Sequence, residues 1–167
     1  MTTPHRLMGI NDFAEELART LLRAPLKDRY SDHEEFKRHL GSLLEAFLKE
    51  SLDSSQTPYA LWSGVAEPGG GGIIPTRAFG QSYIPDLVVD IAGRPTLAIL
   101  ARFVESRQEA SDQLAEAIGK ALILSAAYPA VFLFCYAPEG VVHPSGLMDR
   151  EILMDLWSRH KVRVVLR

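Results

Sequence analysis

The chain is 167 residues long with a formal net charge of −3 and a pI near 5.9, the size of one domain and without the overall positive charge that draws a protein to nucleic acid. Only a local basic patch is left open on that side. Hydrophobic residues make up 47% and charged residues 23%, an ordinary globular balance, and no run approaches the roughly 20 apolar residues of a membrane span.

The first residues lack the apolar core and cleavage site of a signal peptide, so the expected location is the cytoplasm. Ile10, Phe13, Ala14, Leu17, Leu21 and Leu22 then recur at helical spacing, which predicts a helix over 11–23 that Pro25 interrupts. Ser31 and Glu34 have the form of a capping box. Behind them Phe36, Leu40, Leu43, Leu44, Phe47 and Leu48 line one stripe of a second helix ending near residue 50, with Lys37, Arg38, Glu45 and Lys49 to the outside.

The polar run 52–58 reads as a loop and 59–65 as a strand. Residues 67–72, Glu-Pro-Gly-Gly-Gly-Gly, lack the Gly-Lys-Ser/Thr ending of a phosphate-binding loop and do not lead from a strand into a helix. A flexible surface loop is expected there. Segments 84–91 and 95–104 are rich in Val, Ile, Leu and Phe with Gly93 between them, the pattern of a hairpin. Antiparallel pairing brings Asp86, at the start of the first strand, beside Arg102, near the end of the second. The rest of the chain is organised around this stretch.

Residues 105–127 read as a long helix. Leu114, Ala117, Ile118, Ala121, Leu122 and Ser125 form its buried stripe, with Gln113, Glu116 and Lys120 on an adjacent one. Residues 130–137 are a nearly continuous apolar strand of the kind buried on both faces. They contain Cys135, the single cysteine, which is expected to be a buried free thiol. After a loop at 138–146, a helix over 147–160 carries Ile152, Leu153, Leu156 and Trp157, and 162–166 forms a last strand. The order α, α, β, β, β, α, β, α, β predicts an α/β fold, a mixed sheet flanked by helices.

That order, with Pro85 and Asp86 opening one strand of a hairpin and Gln113 on the helix that follows, resembles the PD-(D/E)XK nuclease superfamily, the restriction-endonuclease-like fold. The resemblance implies a single domain. Residues 31–137 would be its αβββαβ core, 1–30 an N-terminal helical extension and 138–167 an additional helix and strand. In such enzymes an aspartate and a glutamate hold a divalent metal, and a lysine two residues after the glutamate orients the attacking water. Hard Mg²⁺ prefers oxygen ligands, and its charge stabilises the phosphate under attack. Carried over by position, Pro85 and Asp86 match, while Leu100 and Arg102 stand where Glu and Lys belong. Leucine binds no metal, and arginine stays protonated at any working pH. The resemblance therefore implies a vestigial site in which Asp86 and Arg102 form a structural ion pair.

The competing expectation is a site whose groups have moved. Asp86 and Arg102 would act with Glu116 and Lys120 from the helix 105–127, and Mg²⁺ or Mn²⁺ would be held by Asp86, Glu116 and Glu45. The bland counterpart is an i,i+4 surface pair for Glu116 and Lys120 and exposed decoration for Glu45. Asp90 lies roughly 13 Å from Asp86 along the strand and cannot share its ion. His5, His33, His39, His143 and His160 show no paired ligand spacing, which argues against zinc. Ser82 and Ser145 lack a nucleophile-elbow context. Arg77, Arg94, Arg102, Arg107 and Lys120, with Gln113, are candidates for a rim that contacts phosphate.

The expected function is thus a catalytically degenerate PD-(D/E)XK-like protein without cofactor, binding nucleic acid or a protein through the former active-site face. Two alternatives stand beside it. One is an active metal-dependent nuclease with its residues on the helix 105–127. The other is a structural module that forms a homodimer through the apolar stripe of the first two helices. Contact with a membrane is not expected.

Overall fold

A computed structural model of the chain describes residues 9–53, 56–65, 72–104, 107–137 and 147–167, with the backbone alone at 107–109 and 147. Most of the glycine run, the loop 138–146 with His143 and Ser145, His5 and the Arg107 side chain lie outside the described residues.

Two helices, α1 (Ile10–Arg23) and α2 (His33–Leu52), precede a strand β1 (Tyr59–Trp62) and a small hairpin β2 (Thr76–Ala78) and β3 (Gln81–Tyr83). The main hairpin β4 (Leu87–Ile91) and β5 (Arg94–Phe103) follows, then α3 (Arg107–Leu124), β6 (Ala130–Tyr136), α4 (Leu147–His160) and β7 (Val162–Leu166). The five-stranded sheet runs β1-β4-β5-β6-β7. Its first three strands are antiparallel neighbours, and β5, β6 and β7 are parallel. The expected mixed sheet flanked by helices, with an extra C-terminal helix and strand, is present. Among the described residues no helix is long and apolar enough to cross a membrane.

Alternation along the strands divides the core in two. Leu87, Val89, Leu97, Ile99, Ala101, Phe132 and Phe134 face α1 and α2, where Phe13, Leu17, Leu21, Phe36, Leu40, Leu44 and Leu48 meet them. Val88, Ala98, Leu100, Val131, Leu133 and Cys135 face Ala117, Ala121 and Leu124 of α3 and Leu156 of α4. The crossovers through α3 and α4 step across the sheet in the same direction, so both helices cover the same face. All seven residues of β6 are buried, which is why its sequence does not alternate. The apolar stripe of α1 and α2 is consumed by this core, with Leu17 and Leu40 both 0% exposed. Most of that stripe is therefore spent within this chain. Leu22, counted with that stripe in the sequence, is exposed instead.

Local chemistry accounts for the element ends. The β4–β5 turn uses Ala92 (φ 54°) and Gly93 (φ 76°), both in the left-handed region that a tight two-residue hairpin turn requires. Gly93 adopts it freely, while Ala92 bears a cost of about 1–2 kcal/mol. At the start of α2 the cap lies one residue beyond the expected Ser31 and Glu34. The Asp32 side chain accepts the Glu35 backbone N–H at 2.7 Å, and Glu35 Oε2 accepts the Ser31 N–H at 2.7 Å. The run Ser-Asp-His-Glu-Glu offers two overlapping cap registers, and this one also lets Glu35 meet Lys27 at 2.6 Å. Strand β1 is shorter than the expected 59–65, and α3 is shorter than 105–127. The β2–β3 hairpin is absent from the sequence expectations. It forms its own two-stranded sheet and rests on α3.

Candidate functional site at the Asp86 end of the hairpin

Buried Pro85 fixes the approach of the chain to β4, and the Asp86 N–H already donates to the Ile99 carbonyl at 2.9 Å. The Asp86 carboxylate turns back across the hairpin. Oδ2 accepts the Ala101 backbone N–H at 2.8 Å and a hydrogen bond from Arg102 Nη1 at 3.1 Å. Oδ1 faces His33 Nε2, in the first turn of α2, at 3.6 Å. Arg102 Nη1 also donates to the Ala101 carbonyl at 2.6 Å. The side chains of Asp86 and Arg102 are 16% and 22% exposed. Burial alone pushes the Asp86 carboxyl up, but His33, the Ala101 N–H and Arg102 together outweigh it and hold the acid below its ordinary range. Asp86 is thus a latch that joins β4, β5 and α2.

The ion pair expected between Asp86 and Arg102 is present. His33 has no ligand spacing with another histidine, so the sequence gives it no role at this site. Its place depends on how α2 crosses the sheet, which Phe36 fixes by stacking on Phe134 (ring centroids 6.2 Å apart) and Tyr136 (6.1 Å). No local pattern carries that information.

Leu100 and Arg102 share the face of the sheet that α3 covers. Beside them is a cavity of about 350 Å³ lined by Gln81, Ser82, Tyr83, Ile84, Leu100, Arg102, Lys120 and Leu124. Strand β3 of the unexpected hairpin supplies three of these residues, Gln81, Ser82 and Tyr83. Lys120 does reach the Arg102 side of the sheet, as the helical spacing suggested. Glu116 does not join Asp86. It pairs with Lys120 at 2.6 Å and is 65% exposed. Its carboxyl is held below the ordinary range by the hydrogen bond and charge of Lys120 and, more weakly, by Arg102. Gln113 is half-buried on α3.

Other candidates lie elsewhere. Glu45 is exposed on α2 and lines a separate cavity of about 390 Å³ with Lys37, Arg38, Leu61, Ser63 and Leu87. Among the described residues no three His, Cys, Asp or Glu side chains are placed to hold a metal ion. The expected set of Asp86, Glu45 and Glu116 therefore does not converge: Asp86 is latched into the sheet, and Glu45 and Glu116 stand on different helices. Arg94 is exposed at the opposite end of β5, roughly 26 Å from Arg102 at about 3.3 Å per residue, so it is not part of this rim. Arg77 is exposed on β2.

Two further groups, one buried and one half-buried, complete the picture. Burial pushes the Cys135 thiol up to about 12 despite the nearby Arg102, so it is inert as a nucleophile. Asp90 accepts the Trp62 Nε1–H at 2.8 Å on Oδ2, while Oδ1 is buried without a protein partner. Asp90 lines a third cavity, of about 300 Å³, with Ile73, Thr76, Val88 and Tyr128. No protein-family model, curated protein or solved structure matches the chain.

Proposed function

We propose that the chain is a catalytically degenerate protein of the restriction-endonuclease-like fold that binds nucleic acid through the face covered by α3. Helix α2, the antiparallel strands β1, β4 and β5, the crossover α3 and the parallel strand β6 follow the αβββαβ order, and Asp86 opens the middle strand. The observation that carries the function is the charge inside the 350 Å³ cavity. It is lined by two cations, Arg102 and Lys120, and by no carboxylate.

A working metal site of this fold needs acidic oxygens free to meet an ion. Here both Asp86 oxygens face groups of the protein, and the next position along the wall is Leu100. Each cation already holds a carboxylate outside the cavity lining, Arg102 that of Asp86 at 3.1 Å and Lys120 that of Glu116 at 2.6 Å, and would meet phosphate with its remaining N–H groups, Arg102 as a planar fork and Lys120 as a point charge. Ser82 and Tyr83 add hydroxyls at the same wall, suited to phosphate or sugar oxygens.

Binding of labelled oligonucleotides over a series of salt concentrations tests this reading. Affinity should fall as salt rises, because each neutralised phosphate releases counterions. Lys120→Ala should lower the log–log slope by about 1. No binding at about 50 mM salt by folded protein would overturn the reading.

A further inference from the structure

Phe79 is a side chain whose placement folding does not explain. It takes the first position of the turn between β2 and β3, at φ 52°, ahead of Gly80 at φ 75°. Bulky side chains avoid that backbone region, and the ring is 91% exposed. Backbone and hydration both oppose a phenylalanine here, and outliers of this kind concentrate where a ligand uses them. The turn holds the ring away from the body of the protein on a hairpin whose foot is packed on α3.

The surroundings point to the ligand. Arg77, two residues before the ring, is exposed and pairs with no carboxylate among the described residues. Ser82, paired with Arg77 across the hairpin, lines the cavity that holds Arg102 and Lys120. The hairpin thus carries the ring and Arg77 and, at Ser82, borders the cavity whose cations come from β5 and α3, a combination of aromatic surface and positive charge that suits a nucleic-acid strand. Paired bases are already stacked on one another, so a projecting ring reaches a base face where the strand is unpaired.

We infer that Phe79 is a stacking platform for an unpaired base, and that the ligand of this face is single-stranded nucleic acid. Its phosphates follow Arg77 towards Arg102 and Lys120. The inference rests on the nucleic-acid reading above and narrows it.

The test titrates a labelled oligonucleotide of mixed sequence, as a single strand and as a blunt duplex, with the intact wild-type chain, Phe79→Ala and Phe79→Trp. The wild type should prefer the single strand. Phe79→Ala should weaken single-strand binding about ten-fold and leave duplex binding and the salt slope unchanged. Phe79→Trp should retain affinity, with fluorescence quenched on binding beyond any change in the wild type. Equal single-strand affinity of wild type and Phe79→Ala would overturn this inference while the nucleic-acid reading stands. No binding by the wild type to either probe would overturn both. A monomer–dimer equilibrium in sedimentation that Phe79→Ala abolishes would assign the ring to a second copy and overturn the inference. An unchanged urea midpoint of Phe79→Ala keeps these outcomes free of folding effects.

Discussion

His33 Nε2 stands 3.6 Å from Asp86 Oδ1, so the first turn of α2 is tied to the opening of β4 by a contact spanning 53 positions of sequence. With the Ala101 N–H and Arg102 on the other carboxylate oxygen, one aspartate links three elements. The same end of α2 is fastened again by Glu35, which accepts from Lys27 and from the Ser31 backbone.

Acid should therefore loosen this end of the molecule. The folded pKa of Asp86 is depressed, and that of Glu35 is lowered to about 2, chiefly by its bond to Lys27. Groups of this kind contribute stability that is present above their unfolded pKa, near 4, and lost as pH falls through the folded value. Asp86→Asn should cost about 1–2 kcal/mol at pH 7, the worth of a charge-assisted bond replaced by a neutral one. The gap to wild type in urea unfolding should close as pH falls below about 4. A gap independent of pH would show that the ionised carboxylate is not what holds the latch.

Under the proposed fold reading, Glu and Lys at positions 100 and 102 should create a metal site. Leu100 is buried beside Arg102 on the wall of the 350 Å³ cavity. Leu100→Glu with Arg102→Lys places a carboxylate where the strand register sets position 100 opposite the entrance of β4, and removes the guanidinium that occupies Asp86. The variant should unfold at lower urea than wild type without metal, because a carboxylate is buried unpaired. Mn²⁺ should then raise its stability by about 2.7 kcal/mol at one hundred times Kd and leave wild type unmoved. A folded double variant indifferent to Mn²⁺ would count against the alignment of Leu100 and Arg102 with the family positions.

Much of this frame was legible because the signals are local. The amphipathic stripe of α2, the apolar run of β6 and the Gly93 turn each read correctly from a few neighbouring residues. Asp86 and Arg102 were paired by hairpin arithmetic alone. The missed parts depend on packing between distant segments. His33 reaches Asp86 only because Phe36 seats α2 on the sheet. The β2–β3 hairpin has strands of three residues, too short for an alternation to register, and its turn begins with Phe79 where Asn, Asp or Gly would have signalled it. Arg94 and Glu45 were grouped with the site by charge, and strand length and helix face separate them from it.

Glu116 should restrain binding. Its carboxylate holds Lys120 at 2.6 Å on an exposed stretch of α3, so it competes with any phosphate for that cation. Glu116→Gln should tighten oligonucleotide binding a few-fold and steepen its salt dependence by about 1 in the log–log slope. The migrated-nuclease alternative requires the opposite. Under that reading wild type cleaves DNA or RNA with Mg²⁺ or Mn²⁺, and both Glu116→Gln and Asp86→Ala abolish cleavage. The two variants assayed for binding and hydrolysis side by side separate the readings, and metal-dependent cleavage lost in Asp86→Ala would end the degenerate one.

The Trp62–Asp90 bond is a second polar tie across the sheet, between the edge strand β1 and β4. Asp90 Oδ1 is buried with no protein partner, so the indole N–H is the one side-chain donor serving this carboxylate among the described residues. Trp62→Phe removes that donor and should cost about 1–3 kcal/mol beyond the lost ring area, since it leaves the acceptor without a side-chain partner. Asp90→Leu together with Trp62→Phe removes both partners and should recover most of that loss, because matched apolar replacements leave nothing stranded. A double-mutant cycle in urea measures the coupling directly. Tyr128 supplies a second readout. Burial, and then the charge of Asp90, push its hydroxyl above the ordinary range, so the Asp90 variant should titrate closer to pH 10 in ultraviolet absorbance. Additive losses in the cycle with an unmoved Tyr128 titration would show that the Trp62–Asp90 bond carries no coupling of its own.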